Sequence, residues 1–177
     1  MPRYKITVEY DGTGLAGWQK QHDQYSVQEA IESAASQASG HDVHIYCSGR
    51  TDAGVHALAQ VAHLDLAKEW DLFKLTAALN FYLRKDEKLP LPMQVAVIKS
   101  ELVADDFHAR FSAKRRYYNY RIICRNGHLA LEQNRAWCVF KELDINLMQE
   151  AAKILVGRHD FSSFRSTDCQ AKNPVRT

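Results

Sequence analysis

The chain has 177 residues, which suits one domain or two small ones and allows a sizeable buried core. Its hydrophobic share of 46% is ordinary for a globular protein, and no apolar run approaches the roughly 20 residues of a membrane-spanning helix, so we expect no membrane partner. The net charge of +2 neither favours nor excludes nucleic acid, so the distribution of charge along the chain is more informative.

The N-terminal part begins with a predicted strand and a predicted helix. Apolar and polar residues alternate from residue 4 to residue 10, which predicts the strand. Ser26 and Glu29 then form an S-x-x-E capping box at the start of the helix, and Gly40 ends it. The apolar residues at helical spacing are Val27, Ala30, Ile31, Ala34, Ala35 and Ala38.

Two further strands, a second helix and a final strand complete this part. The strands are predicted at residues 43–48 and 58–66, and the helix begins near Asp71. Its aligned leucines are Leu72, Leu75, Leu79 and Leu83. The final strand covers residues 93–99, with Val95 and Val97 on one face. The order βαββαβ predicts an α+β, ferredoxin-like domain over residues 1–104, of the kind that RNA-binding modules also use, with a mainly antiparallel sheet and helices on one face.

The loop between the two middle strands combines charge and glycine. It reads Gly49-Arg50-Thr51-Asp52-Ala53-Gly54-Val55-His56-Ala57, and we call it the signature loop. Glycines permit backbone angles and close approaches that a side chain would block. Charged loops held by a rigid framework are where catalytic residues tend to lie. Taken alone, Asp52 also fits a turn residue that bonds its own backbone.

A second α/β unit is predicted for residues 105–177. It begins with strands at residues 116–124 and 135–140, followed by a helix that Asp144 caps and Gly157 closes. The predicted inward face of this helix is Leu147, Met148, Ala151, Ala152 and Leu155. Such a unit lacks the strands that would complete its sheet, so we expect it to be an incomplete relative of the first.

Basic and aromatic residues are interleaved near the start of this second unit. Residues 107–131 contain no acidic side chain, and they include Arg110, Lys114, Arg115, Arg116, Arg121, Arg125, Tyr117, Tyr118 and Tyr120. This pattern is typical of a surface that meets phosphates and stacks on bases. A solvated edge strand protected by charge explains it equally well. In either case we expect at least one of the three tyrosines to belong to the core.

Cysteine usage bears on the cellular compartment. Cys47, Cys124, Cys138 and Cys169 show no close pairing, and three of them lie in strand-like runs. Small buried thiols explain this arrangement better than disulfides do, which favours the reducing cytoplasm.

Seven segments, in order along the chain, resemble the tRNA pseudouridine synthase A family. They are Tyr10-Asp11-Gly12, Gly17-Trp18-Gln19, Ser26-Val27-Gln28, the signature loop, residues 106–113, Tyr118-Asn119-Tyr120 and Phe161-Ser162-Ser163-Phe164-Arg165. The resemblance implies isomerisation of uridine to pseudouridine in the anticodon stem-loop of tRNA, with Asp52 as the catalytic nucleophile. It also implies a homodimer that binds one tRNA across two subunits.

This isomerisation breaks the N1–C1′ bond and joins C1′ to C5 of the same base. It needs no redox change and no group donor, so we expect no cofactor and no metal. An ionised carboxylate could attack C1′ of the ribose or C6 of the uracil, and the residues do not choose between these routes. The base must leave its stack to be reached. The resemblance assigns Tyr118 to stacking on the uracil and Arg50 to an RNA contact near the space that the base leaves.

Further RNA contacts are expected from basic residues that match family positions or the basic stretch. They are Lys20, His108, Arg110, Arg115, Arg116 and Arg165. Each of them could instead make a structural ion pair.

Two other functions remain open from the residues. A non-catalytic RNA-binding module, or an inactive fragment of such an enzyme, would share the same fold. A metal-dependent hydrolase could use His44, Asp52 and His56, although their spacing matches no strong ligand motif.

The last residues, Asn173-Pro174-Val175-Arg176-Thr177, predict the start of a strand. In the family, a further C-terminal part supplies sheet strands, an arginine that pairs with the catalytic aspartate, and apolar residues that line the uracil pocket. If the protein ends at Thr177, we expect a folded first unit, a loosened second unit and little or no activity.

Overall fold

The computed structural model describes residues 1–165 and 173–176. The chain divides into two compact units, Met1–Tyr120 and Arg121–Thr177. Residues 105–120, which the sequence groups with the second domain, pack with the first unit. The domain bounds 1–104 and 105–177 stay predictions.

The first unit contains the predicted elements in the predicted order: β1 (Arg3–Tyr10), α1 (Val27–Ser39), β2 (Ile45–Cys47), β3 (Ala57–Asp65), α2 (Leu72–Arg84) and β4 (Val95–Val103). The strands form one sheet in the order β2-β3-β1-β4, and every neighbouring pair is antiparallel. The prediction of an α+β unit with an antiparallel sheet is therefore confirmed. Compared with the prediction, β2 is shorter and β4 is longer.

Local chemistry sets the helix ends where the sequence placed them. The Ser26 side chain accepts a hydrogen bond from the Glu29 N–H at 3.2 Å, which satisfies a free donor at the start of α1. Gly40 ends that helix in the left-handed conformation, with φ of 76°. Asp71 caps α2 by accepting from the Lys74 N–H at 2.9 Å.

The core of the first unit lies between the sheet and its two helices. Alternate residues of β1, the apolar stripe of α1 and three leucines of α2 are buried there: Tyr4, Ile6, Val8, Tyr10, Val27, Ala30, Ile31, Ala34, Ala35, Leu75, Leu79 and Leu83. Full burial of a large aliphatic side chain stabilises the fold by about 1.5–3 kcal/mol. Leu72, in the first turn of α2, is 40% exposed. It therefore contributes less to the core than its place among the aligned leucines predicts.

The opposite face of the sheet holds residues 105–112 in place. Arg3 pairs with Asp65 at 2.8 Å and donates to the backbone carbonyls of Asp105 and Phe107 at 2.6 and 2.9 Å. Close by, the buried His63 accepts a hydrogen bond at Nδ1 from the Ala109 N–H at 3.2 Å. We call residues 107–120 the basic segment, and these contacts fix its start to the sheet that carries the signature loop.

The second unit is described by itself. It contains β5 (Ile122–Cys124), β6 (Trp137–Val139), α3 (Ile145–Ile154), β7 (His159–Asp160) and β8 (Val175–Arg176). The β5–β6 pair is parallel and the β7–β8 pair is antiparallel. The strand at the end of the chain is thus confirmed, whereas the parallel pair departs from the antiparallel expectation.

Other predictions for residues after 105 differ from the structure in whole or in part. The strand predicted at 116–124 is limited to β5, because no described strand pairs with residues 116–121. Asp144 does cap α3, but none of the helix residues is buried, since nothing in the described part of the chain covers its apolar face. Tyr117, Tyr118 and Tyr120 are at least 77% exposed, so none belongs to the core.

The cysteines and helices complete the description. Cys47 and Cys138 are partly buried free thiols, and Cys124 is exposed, which corrects the expectation of burial for that residue. Cys169 lies outside the described residues. In the described part of the chain, no helix is long and apolar enough to cross a membrane.

Candidate active site

The signature loop connects β2 to β3, and its backbone is bonded to the segment that follows β1. The Thr51 carbonyl accepts a hydrogen bond from the Trp18 N–H at 3.0 Å, and the Gly54 N–H donates to the Leu15 carbonyl at 3.3 Å. The hydroxyls of Thr51 and Tyr10 lie 2.8 Å apart. Three separate bonds therefore fix the loop from its inner side.

Two glycines allow this close approach. A Cβ on Gly12 would lie 2.2 Å from the Val55 carbonyl oxygen, and one on Gly17 would lie 2.4 Å from the Thr51 carbonyl oxygen. The Cβ on Gly17 would also lie 2.8 Å from the Asp52 carbonyl carbon. Gly17 has φ of +92°, which other residues rarely adopt. The backbone of residues 51–55 thus depends on glycine at both positions.

The start of the loop is held by β3 and by the basic segment. The Ser48 N–H donates to the Val61 carbonyl at 2.8 Å, and the Ser48 hydroxyl donates to Gln60 Oε1 at 2.7 Å. The Gln60 amide in turn donates to the Gly49 carbonyl. The Arg116 guanidinium donates to the Ser48 carbonyl from Nε at 2.9 Å and from Nη2 at 2.6 Å.

Asp52 lies at the exposed outer side of the loop. Its carbonyl accepts a hydrogen bond from the Val55 N–H at 3.2 Å, which closes a turn. Among residues 1–165 and 173–176, the structure contains no ion pair between the Asp52 carboxylate and a basic side chain. The result is an accessible carboxylate on a well-fixed backbone.

Arg50 and Arg110 lie near the Cys47 thiol, at the end of β2. Burial raises the pKa of this thiol, and the positive charges of both arginines act in the opposite direction. Both predicted RNA-contacting cations therefore act on a thiol two residues before the signature loop.

Tyr118 lies beside the same loop. Its hydroxyl is 3.8 Å from the position that a Cβ on Gly49 would occupy, and its side chain is 77% exposed. Burial raises the pKa of the Tyr10 phenol, and the nearby Tyr118 phenol adds to this effect. An exposed aromatic ring next to the Asp52 loop has the chemistry needed to stack on a base.

The other residues predicted to contact RNA differ in their exposure and in their place in the fold. Lys20, Arg110 and Arg115 are exposed. His108 is half-buried between the rings of His63 and Phe111, whose centroids are 4.7 and 4.4 Å away. Arg165 follows a short 3-10 helix, Ser162–Phe164, in the second unit. Among the predicted site residues, Arg50 and Asp52 belong to the signature loop, and Arg116 and Tyr118 lie beside its start. The Arg110 carbonyl accepts a hydrogen bond from Arg116.

His44 and His56 do not join Asp52 in a metal site. Within the described residues there is no group of three or more His, Cys, Asp or Glu side chains that could hold a metal ion. His44 is exposed, and its Nδ1 lies 3.8 Å from Glu32 Oε1. His56 Nδ1 lies 3.0 Å from Asp11 Oδ1 and 3.2 Å from the Gly12 N–H, so it connects the end of the signature loop to the turn after β1.

Several residues that hold the loop were not singled out from the sequence. Gly12, Gly17 and Trp18 lie in segments that carried the family resemblance. The two glycines were the sequence signal that could have identified these contacts. Tyr10 also lies in such a segment, whereas Gln60 gave no such signal, because it occupies an ordinary position in a strand.

Comparison with known proteins gives the same family. A family model described as tRNA pseudouridine synthase matches residues 6–112 and 151–177. The chain belongs to the tRNA pseudouridine synthase family. It is 55% identical, over 99% of its length, to a Wolbachia pipientis protein named tRNA pseudouridine synthase A. It is 54% identical to an Agrobacterium fabrum protein and 51% identical to a Maricaulis maris protein of the same name, over its whole length.

The extent of these matches differs along the chain. The chain spans 65–69% of the length of these three relatives. The family model covers the signature loop, whereas Arg115, Arg116 and Tyr118 fall between its two matched parts. The alignments to the Agrobacterium and Maricaulis relatives span all 177 residues and therefore include these three.

Proposed function

We propose that this protein isomerises uridine to pseudouridine in the anticodon stem-loop of tRNA, with Asp52 as the nucleophile. The observation that carries the proposal is an exposed carboxylate on a loop whose backbone is bonded to β3, to the segment after β1 and to Arg116. The family membership and the names of the relatives support the reaction and its tRNA substrate.

A fixed backbone is useful because the carboxylate must meet one carbon of a base or ribose. Attack at C1′ displaces the uracil and leaves an ester bond between Asp52 and C1′, whereas attack at C6 bonds Asp52 to the uracil, whose N1–C1′ bond then breaks. The uracil turns, C5 bonds C1′, and the bond to Asp52 breaks, which restores the carboxylate. The C5 proton leaves and N1 gains one, so atoms and electrons balance without a co-reactant. Holding the nucleophile in a reactive position removes an entropic part of the barrier, and misplacement by about 1 Å costs about 100-fold in rate.

Tyr118 and Arg50 have complementary roles in this proposal. Both are exposed next to the signature loop. The Tyr118 ring stacks on the everted uracil, and Arg50 occupies the space that the base leaves in the RNA. Lys20, His108, Arg110, Arg115 and Arg165 bind phosphates in the same proposal.

The fold and assembly follow from the same reasoning. The antiparallel order β2-β3-β1-β4 with two crossover helices supports a ferredoxin-like first unit. The homodimer stays a prediction from the family resemblance, and the cytoplasmic location stays a prediction from cysteine usage.

The test is Asp52→Asn in the full chain, which removes the charge and retains the shape. We expect loss of tritium release from C5-labelled tRNA, while tRNA binding survives. Asp42→Asn, at another exposed aspartate, is the matched control and should retain activity. Turnover by Asp52→Asn would refute the nucleophile assignment. Binding without turnover by the unaltered protein would instead favour a non-catalytic RNA-binding module.

A further inference from the structure

Arg116 is exposed, and its guanidinium bonds two backbone carbonyls at the protein surface. Nε and Nη2 donate to the Ser48 carbonyl at 2.9 and 2.6 Å, and Nη2 also donates to the Arg110 carbonyl at 3.1 Å. Both acceptors are backbone groups, one directly before the signature loop and one in the basic segment. A planar fork of donors can make such a paired contact, whereas a lysine ammonium offers only a point charge.

Gly49 provides an independent sign of the same contact. A Cβ at this position would lie 3.2 Å from Arg116 Nε and 3.4 Å from its Cδ, which is tighter than ordinary packing. Gly49 is not among the glycines with positive φ, so its backbone conformation does not require glycine. The missing side chain leaves room for the Arg116 side chain to lie against the loop.

The contact acts on the middle one of three successive peptide groups, and the two that flank it are already bonded. The Ser48 N–H is bonded to β3, and the next carbonyl, that of Gly49, accepts from Gln60. Arg116 supplies the donors for the Ser48 carbonyl between them. With all three peptide groups bonded, the backbone through Ser48 and Gly49 has one orientation, and this orientation sets the direction in which the loop leaves β2.

We propose that Arg116 is a positioning residue that fixes the start of the signature loop, and thereby the Asp52 carboxylate, for catalysis. This inference rests on the proposed function and deepens it. In a phosphate contact, by contrast, the positive charge of Arg116 would bind the RNA and its guanidinium would not hold the loop backbone.

Arg116→Lys separates the two roles, because it preserves the charge and removes the fork. In the full chain we expect kcat to fall by about tenfold or more, with KM for tRNA within about twofold of its original value. Arg115→Ala, which removes a predicted phosphate contact, should raise KM and leave kcat. Arg84→Lys, at an exposed arginine on α2, is the control for the substitution itself. A raised KM with unchanged kcat in Arg116→Lys would overturn the proposal.

A double-mutant cycle tests the geometry directly. Gly49→Ala should lower kcat in the unaltered background, because its Cβ displaces the Arg116 side chain, and should lower it much less in the Arg116→Lys background. Equal losses in the two backgrounds would overturn the proposed contact.

Hydrogen exchange gives a readout that does not need activity. Arg116→Lys should speed amide exchange in residues 49–57 and leave α1 unchanged. Unchanged exchange in residues 49–57 would overturn the inference. If the unaltered protein forms no pseudouridine, the proposed function fails, and the exchange measurement still decides whether Arg116 positions the loop.

Discussion

The inner and outer sides of the signature loop differ in burial and in their chemical task. The inner side meets Tyr10, Gly12, Gly17 and Trp18, which are all buried. The outer side carries Arg50 and Asp52 and has Tyr118 beside it, and these three side chains are exposed. The backbone is held from the buried side, so the exposed side chains need not stabilise the loop that carries them. Substitutions on the inner side should therefore lower both stability and activity. Substitutions on the outer side should lower activity alone.

The largest expected effect comes from Gly17→Ala. The φ of +92° costs a residue with a Cβ about 1–2 kcal/mol, and the overlap with Thr51 and Asp52 adds about 1–3 kcal/mol. We expect a loss of about 2–5 kcal/mol in the free energy of unfolding, measured by denaturant titration, together with loss of tritium release.

Gly40→Ala separates backbone strain from overlap. Gly40 has φ of +76°, and a Cβ there would have nothing within 4 Å. The Gly40→Ala variant should lose only about 1–2 kcal/mol in the free energy of unfolding and should retain activity. If Gly17→Ala were no worse than Gly40→Ala, the inner side would not hold the loop in the way described.

An intermediate effect is expected at Tyr118, on the outer side. Tyr118→Phe retains the ring, whereas Tyr118→Leu removes the stacking face. Base–aromatic stacking is worth about 1–3 kcal/mol, so kcat/KM should fall about 5- to 150-fold in the leucine variant and much less in the phenylalanine variant. Neither variant should change the unfolding free energy appreciably, because the side chain is 77% exposed. Equal mild losses of kcat/KM in both variants would contradict a stacking role.

The smallest expected effect is a pH dependence of stability at His63, which holds the basic segment through Ala109. Burial lowers the pKa of His63, and the charges of Arg3 and His108 lower it further, against the opposite effect of Asp65. The unfolded chain therefore takes up a proton first as the pH falls. The stability from neutral His63 is complete above about pH 6.5 and is lost as the pH falls toward the folded-state pKa.

Unfolding titrations between about pH 5 and pH 8 test this dependence. His63→Gln retains an acceptor for the Ala109 N–H and removes the titration, so the slope of stability with pH should diminish. His22→Gln, at a side chain that is 98% exposed, should leave the slope unchanged. A slope in His63→Gln equal to that of the unaltered protein would count against the assignment.

The first unit could be predicted from the sequence because its signals are local and agree with one another. Alternation marked β1, capping residues marked α1 and α2, and Gly40 ended α1 where expected. The signals after residue 105 were weaker. Tyr118 and Tyr120 alternate as a strand would, but residues 116–121 have no pairing strand in the described part of the chain, and Arg116 bonds the signature loop instead.

The site could be predicted only in part, for a related physical reason. Glycine and charge density identified the signature loop and Asp52. The contacts of Gly12, Gly17 and Gln60 with that loop depend on tertiary packing between segments far apart in sequence, which no local pattern contains. The role proposed for Arg116 was hidden for the same reason, since a surface arginine that bonds a carbonyl has the same sequence signal as one that binds phosphate.

The Arg116 contact also has a consequence during synthesis. Ser48 and Arg116 are separated by 68 positions, whereas Tyr10 and Thr51 are separated by 41. A nascent chain can close the inner side of the loop as soon as β3 has left the ribosome. The contact between Arg116 and the Ser48 carbonyl can form only after Arg116 has also left the ribosome. In the role proposed for Arg116, the carboxylate has no final direction until that moment, so a partly synthesised chain can contain every residue of the signature and still hold no organised site.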